Sequence, residues 1–154
     1  MSAYFLDTSA LVKRYIDEQG TEWIQSIVSS DAGHNIFIAQ ITRAEIVSAA
    51  SRRKREGTVT ARTVHAIRLM VDRHARQEYR EIGLADQIIQ RAQDLLEVYP
   101  LRAYDAVQLA CALEVNIGLE SSGFESLIFI SSDLKLLETA GLERLSTVNP
   151  EDQA

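Results

Sequence analysis

The chain has 154 residues, 46% of them hydrophobic, and a formal net charge of −6. One domain of this length can bury roughly 70% of its extended-chain surface, so no disulfide or metal staple is needed, and the single cysteine is typical of a buried thiol. Without a basic stretch before an apolar one, or an apolar run long enough to span a bilayer, the sequence predicts a cytoplasmic protein with no signal peptide and no membrane partner.

The predicted elements alternate between strands and helices. Apolar strands are predicted at 3–6, 35–39, 79–82, 127–130 and 145–148. Helices are predicted at 8–16, 21–28, 40–56, 58–79, 85–98, 104–117 and 134–139. This order favours an α/β fold in which helices cover both faces of a mostly parallel sheet. We expect one domain over residues 1–149, followed by a polar tail, 150–154, that need not be ordered.

Positive charge is concentrated in the two long helices predicted in the middle of the chain. Residues 43–80 contain ten Lys and Arg against four acids, a segment charge of +6, whereas the remainder carries −12. The first helix ends in a run of four basic residues: Arg52, Arg53, Lys54 and Arg55. The run is a candidate contact to a phosphate backbone or an acidic partner, although a solvated helix face would give the same pattern.

Four acids lie where predicted strands end or where predicted helices begin. Asp7 and Asp133 follow strands, while Glu45 and Asp105 lie early in helices. A helix cap, or favourable charge at a helix start, explains each acid separately. The carboxyl ends of parallel strands share one rim of a sheet, however, so we expect the four carboxylates to meet in one crevice.

Such a cluster of like charges persists only when protons or cations neutralise it. Carboxylate oxygens without histidine or thiolate partners suit Mg²⁺ or Mn²⁺ better than zinc. His65 and His74 fall on opposite faces of one helix, and His34 stands alone before a strand. A zinc site and a histidine acid–base nuclease are therefore poorly supported. The sequence also contains no Gly-rich nucleotide-binding motif and no serine-hydrolase motif.

Four segments form a pattern in a fixed order: YFLDTSAL at 4–11, RAEI at 43–46, YDAVQLA at 104–110 and ISSD at 130–133. In these segments the chain resembles PIN-domain ribonucleases, and most closely the VapC-type toxins of prokaryotic toxin–antitoxin pairs. The resemblance implies a PIN-like three-layer α/β/α fold with a five-stranded, mostly parallel sheet. It also implies an Mg²⁺- or Mn²⁺-dependent endoribonuclease that hydrolyses RNA with a metal-activated water.

The same resemblance implies the residues of the metal site, with the last of them the most variable in the family: Asp7, Glu45, Asp105 and Asp133. Ser9 corresponds to a hydroxyl that often supports the metal shell. Ser131 and Ser132 depart from the family's pattern, in which Thr or Ala commonly precedes the last Asp. The implied partners are a second copy of the chain in a homodimer and an antitoxin whose tail enters the catalytic cleft.

Three other functions stay open at this point. A catalytically silent RNA- or protein-binding module would have no need for four acids, and a metal titration would distinguish it from an enzyme. A receiver-type phosphoacceptor domain would show an acidic pair after the first strand and a lysine after the last, and neither is present. A phosphatase of the haloacid type would have Asp-x-Asp at positions 7–9, where the sequence is Asp-Thr-Ser.

Overall fold

The computed structural model describes residues 1–153. Its sheet has five strands: β1 (Ala3–Leu6), β2 (Asn35–Ala39), β3 (Tyr79–Ile82), β4 (Ile128–Ile130) and β5 (Ser146–Val148). Their spatial order is β3-β2-β1-β4-β5, and every neighbouring pair is parallel. The predicted sheet is thus confirmed and is parallel throughout, with β1 at its centre.

Helices occupy the connections of the described chain: α1 (Thr8–Leu11), α2 (Thr21–Val28), α3 (Thr42–Arg55), α4 (Ala61–Gln77), α5 (Asp86–Val98), α6 (Ala103–Ser121) and α7 (Leu134–Leu142). Side chains alternate between the two faces of a strand. Phe5 accordingly packs in one core with α5, α6 and α7, while Leu6 packs in a second core with α1 to α4. The predicted three-layer α/β/α architecture is confirmed. Within residues 1–153 no helix is both long and apolar enough to cross a membrane.

Some helix boundaries differ from the prediction. The helix predicted at 8–16 is α-helical only to Leu11 and continues as a tighter 3₁₀ turn, Val12–Arg14. That turn carries the fully buried Lys13, which pairs with Glu18 at 3.0 Å. The helices predicted to end at 117 and 139 are longer, because α6 and α7 continue through Gly118 and Gly141 at a cost of only about 1 kcal/mol for each glycine.

The segment predicted as a polar tail that need not be ordered has structure over residues 150–152. Pro150–Asp152 forms a 3₁₀ turn with Pro150 buried, and Asn149 caps it by accepting a hydrogen bond from the Glu151 N–H. The Glu151 carboxylate lies 3.1 Å from Lys13 Nζ. A buried lysine needs carboxylate partners, and Glu151 provides Lys13 with a second one beside Glu18. Ala154 lies outside the described residues.

Gly20 packs directly against this C-terminal turn. Its φ is +92°, and a Cβ there would lie 2.8 Å from the carbonyl oxygen of Pro150. Gly33 has a φ of +70° but no atom within 4 Å of its Cβ position, so it provides a matched control. We predict that Gly20→Ala lowers the free energy of unfolding by about 1–2 kcal/mol more than Gly33→Ala, because it adds overpacking to backbone strain. Urea unfolding measures both, and equal losses would contradict the docking of residues 150–152.

Candidate active site

The carboxyl ends of β1 and β4 open into a cleft of about 560 Å³. Each predicted acid lines this cleft: Asp7, Glu45, Asp105 and Asp133. Asp7 directly follows β1, and Asp133 follows β4 after two serines. Glu45 and Asp105 lie in the first turns of α3 and α6. The fold therefore brings four acids that are far apart in sequence into one cleft.

Asp7 is the most deeply buried of the four, with 4% of its surface exposed. Its Oδ1 accepts hydrogen bonds from the Ser9 hydroxyl at 2.7 Å and the Ala10 N–H at 3.0 Å, while its Oδ2 accepts one from the Ser131 hydroxyl at 2.7 Å. Asp7 is thus the N-cap of α1 as well as part of the cleft. A carboxylate has about four acceptor sites, so these three bonds leave one for a cation.

Burial raises the pKa of Asp7 to about 6, against the opposing effect of its hydrogen bonds, and the charge of Asp105 adds to the increase. Burial also raises the pKa of Glu45 and that of Asp105. Neighbouring charges contribute again, because Asp105 acts on Glu45 and Asp133 acts on Asp105. The cleft therefore favours carboxylates that bind a proton or a cation over carboxylates that carry an uncompensated charge.

Glu45 is held by a hydrogen-bond network that the sequence analysis missed. Its Oε1 accepts from the Thr8 hydroxyl at 3.0 Å and from Gln108 Nε2 at 3.1 Å. Gln108 is only 1% exposed, and its Nε2 also donates to the Thr42 hydroxyl at 2.9 Å, while its Oε1 has no partner among residues 1–153. A glutamine in the most apolar stretch of α6 was the available signal, since a buried amide must find partners.

The two serines that follow β4, Ser131 and Ser132, connect Asp7 with Asp133. Ser131 is fully buried, donates to Asp7 and accepts a hydrogen bond from the Asp133 N–H at 3.0 Å. The Ser9 hydroxyl oxygen accepts from the Ser132 N–H at 2.9 Å. Of the two serines that depart from the family pattern, Ser131 thus supplies a direct hydrogen bond to the buried carboxylate, whereas the Ser132 hydroxyl has no partner among residues 1–153.

Asp133 is the least sheltered of the four acids. Its side chain is exposed, and its Oδ1 caps α7 by accepting from the N–H groups of Lys135 and Leu136 at 3.0 and 3.1 Å. The helix cap is the simpler explanation of this residue, and the structure contains that cap. Asp133 therefore caps α7 and also contributes negative charge at the mouth of the cleft.

The basic run at the end of α3 does not face the cleft as a unit. Arg52 lines the cleft, whereas Arg53 turns away and pairs with Glu18 at 3.1 Å. Lys54 and Arg55 are exposed and outside the cleft lining. Of the four predicted basic contacts, the structure therefore places Arg52 beside the acids.

The carboxylate oxygens of the cleft suit a hard divalent cation, although they do not surround a metal position on all sides. Among residues 1–153, no three acidic, histidine or cysteine side chains are already close enough to hold a metal ion. Mg²⁺ usually keeps several waters and binds proteins through one or two carboxylates, so a closed cage is not required. The free acceptor site of Asp7 and the half-buried carboxylate of Asp105 provide such ligands.

The raised pKa of Asp7 has a consequence for stability. The neutral form of this acid is favoured in the fold, so its contribution is present at low pH and is lost as the pH rises through about 6. Without divalent cations, we expect Asp7→Asn to raise the free energy of unfolding by about 1–3 kcal/mol at pH 8 and by little at pH 4, because the amide removes a buried charge. Urea unfolding at both pH values measures this, and an equal gain at each would contradict it.

Comparisons with known proteins identify the family. The PIN domain model matches residues 4–142. Similar solved structures include VapBC-1 from nontypeable Haemophilus influenzae, with a TM-score of 0.59, 15% identity, and coverage of 96% of this chain and 98% of that one. A toxin–antitoxin complex from Klebsiella pneumoniae has a TM-score of 0.59, 21% identity, and coverage of 97% and 98%.

Mycobacterium tuberculosis VapC20, described as a Sarcin-Ricin loop cleaving toxin, has a TM-score of 0.59, 13% identity, and coverage of 86% of this chain and 92% of that one. No curated protein matches the chain. At these identities, the likeness to solved structures shows the fold alone. The PIN domain match spans most of the sequence, and the four acids named from the resemblance line one cleft. This protein belongs to the PIN domain family.

Proposed function

We propose that this PIN-domain protein is an Mg²⁺- or Mn²⁺-dependent endoribonuclease. The observation that carries the proposal is the buried carboxylate of Asp7, which shares an open cleft with three further acids and whose pKa is raised to about 6. A divalent cation bound there would lower the pKa of a water and offset charge on the phosphoryl oxygens. Carboxylates at the carboxyl rim of a parallel sheet provide the oxygen ligands that such a cation prefers.

The surrounding residues hold the acids in place for this reaction. Ser9 and Ser131 fix both oxygens of Asp7, so its remaining acceptor site has a defined direction. Thr8 and Gln108 hold Glu45 through one oxygen. Burial raises the pKa of Glu45, and a carboxylate held in this way is suited to orient the attacking water and accept its proton.

Arg52 supplies positive charge at the edge of the cleft, where a phosphate next to the scissile bond would lie. Contacts of this kind hold the backbone of a nucleic acid without reading its sequence. The exposed Lys54 and Arg55 would extend the same basic surface along the RNA or toward an acidic partner. Because Arg53 is already paired with Glu18, we assign it a smaller part.

We predict divalent-ion-dependent cleavage of RNA that falls about 100-fold or more in Asp7→Asn and in Asp105→Asn, because each change removes several kcal/mol of ion-assisted stabilisation. Asp86→Asn is the matched control. Asp86 lies in the first turn of α5, as Asp105 does in α6, but outside the cleft. Cleavage of total cellular RNA, mapped by sequencing the new ends, measures all three. Parental rates in either cleft variant would refute the assignment.

A catalytically silent module that binds RNA or protein is the second candidate. It is favoured by the open arrangement of the acids, since no closed metal shell is found within residues 1–153. The same cleavage experiment decides between the two functions. RNA binding by the parent protein without cleavage, at saturating Mg²⁺ or Mn²⁺, would favour the silent module.

We further propose that the protein is the toxin of a toxin–antitoxin pair, and that it forms a homodimer inhibited by an antitoxin. The similar folds of VapBC-1 and of the Klebsiella pneumoniae toxin–antitoxin complex support this proposal. The cleft provides a physical reason, because an arginine or lysine of a partner would be well paired among its acids. Such a side chain would compete with the divalent cation for the same carboxylates.

Expression of the parent chain alone is expected to arrest growth, whereas Asp7→Asn should not, because it removes one charge that the cation needs. Co-expression of a small protein encoded beside it should restore growth, and inhibition by the purified partner should weaken as the Mg²⁺ concentration rises. Growth curves and inhibition titrations measure these effects. A parent chain that is harmless at high levels and co-purifies with no small protein would contradict the toxin role, even where RNA cleavage is observed.

A further inference from the structure

Two side chains at the start of α6 line the cleft without belonging to its acids: Arg102 and Tyr104. The Tyr104 side chain is 48% exposed, although it is large and aromatic. Arg102 is exposed and makes no salt bridge among residues 1–153. An aromatic ring and a free guanidinium group therefore lie in the same wall of the cleft as Asp105.

Both groups lie close enough to the acids to interact with them electrostatically. Burial raises the pKa of the Tyr104 hydroxyl, and the charges of Glu45 and Asp105 add to the increase. Arg102 acts in the opposite direction on the pKa of Asp105, which it lowers. Tyr104 is thus a neutral aromatic ring beside the acids, and Arg102 is a cation within range of a phosphate bound there.

Exposure alone does not distinguish Tyr104 from other surface residues. Phe124 is 66% exposed and Leu134 is 71% exposed, yet neither lines the cleft. Tyr104 differs because it precedes Asp105 directly and shares its cavity. Unpaired RNA bases stack on tyrosine rings and arginine planes, and this is the usual way in which proteins hold single-stranded RNA.

We propose that Tyr104 and Arg102 form a nucleotide subsite in which Tyr104 stacks on the base beside the scissile bond and Arg102 pairs with a phosphate of the same strand. This inference rests on the proposed RNA substrate and deepens it. A base can reach the ring only when it is unpaired, so the substrate class is single-stranded RNA or a loop. Because every base has a π-face, the subsite selects unpaired bases with little preference for sequence.

Fluorescence of a short RNA with a single 2-aminopurine tests the stacking contact in the Asp7→Asn background, where the strand stays intact. Binding should quench the fluorophore. Replacing Tyr104 by Leu should remove the quenching and raise Kd at least about 5-fold, whereas Tyr104→Phe should preserve both. Phe124→Leu is the control for loss of an exposed ring outside the cleft. Because Tyr104 is exposed, the Tyr104 variants should have the same midpoint of thermal unfolding as the protein without them.

A salt titration tests the phosphate contact with the same RNA. Arg102→Ala should reduce the slope of log Kd against log salt by about 0.7, the value expected for one contact to a single strand. Arg76→Ala should leave the slope unchanged. Arg76 is also exposed, but it lies in the last turn of α4 just before β3, at the opposite end of the sheet from the cleft.

The outcomes separate this subsite from the nuclease activity. If the parent cleaves RNA while Tyr104→Leu retains the parental quenching and Kd, the subsite is wrong and the nuclease function stands. If quenching depends on the Tyr104 ring while the parent cleaves no RNA, the subsite stands and the nuclease function is wrong. An unchanged salt slope in Arg102→Ala would remove Arg102 from the subsite.

Discussion

The burial of one carboxylate at the end of the central strand is the constraint on which the rest of the site depends. A charge in this position is costly unless it is hydrogen-bonded or paired. Ser9, Ala10 and Ser131 provide three hydrogen bonds to Asp7, yet burial still raises its pKa to about 6. The fold therefore carries an incompletely compensated group at its centre, which a bound cation would relieve.

The position of β1 explains why the other acids gather around Asp7. This strand lies between β2 and β4, so α1 begins in the middle of the rim. The end of β2 lies on one side of it and the end of β4 on the other. The chain leaves β2 toward α3, which carries Glu45, and it leaves β4 toward α7, which Asp133 caps. Because all five strands are parallel, their carboxyl ends lie at the same rim of the sheet. The acids converge because of topology and not because of local sequence.

The apolar runs and the acids that follow them were sufficient to predict the sheet and the gathering of the acids. The helix predicted at 104–117 has apolar residues in almost every direction around its axis, which is typical of a buried helix, and Ala106, Leu109 and Leu113 do lie in the core. The supporting contacts could not be derived in this way. Gln108 lies 100 residues from Thr8, and Ser131 lies 124 residues from Asp7, so only tertiary packing decides that they meet.

Charge counting over a segment also overestimated the free positive charge. Arg43 pairs with Asp72 at 3.2 Å and with Glu81 at 2.7 Å, so part of the excess of basic residues is neutralised within the fold. The sequence of a segment does not indicate which of its arginines form ion pairs, because the partner carboxylates lie on other helices and strands. An acidic protein can still hold a polyanion through a few local cations and a divalent ion, since screening limits the reach of distant charges.

The central claim is that the acids of the cleft form a divalent cation site, and calorimetric titration of the intact protein with Mn²⁺ tests it most directly. In two buffers of different ionisation enthalpy, such a titration reports binding and proton release together. Saturable binding with net proton release at pH 6 and little release at pH 8 is expected, because the cation displaces a proton from Asp7. Absence of saturable binding, or binding at pH 6 without proton release, would contradict the claim.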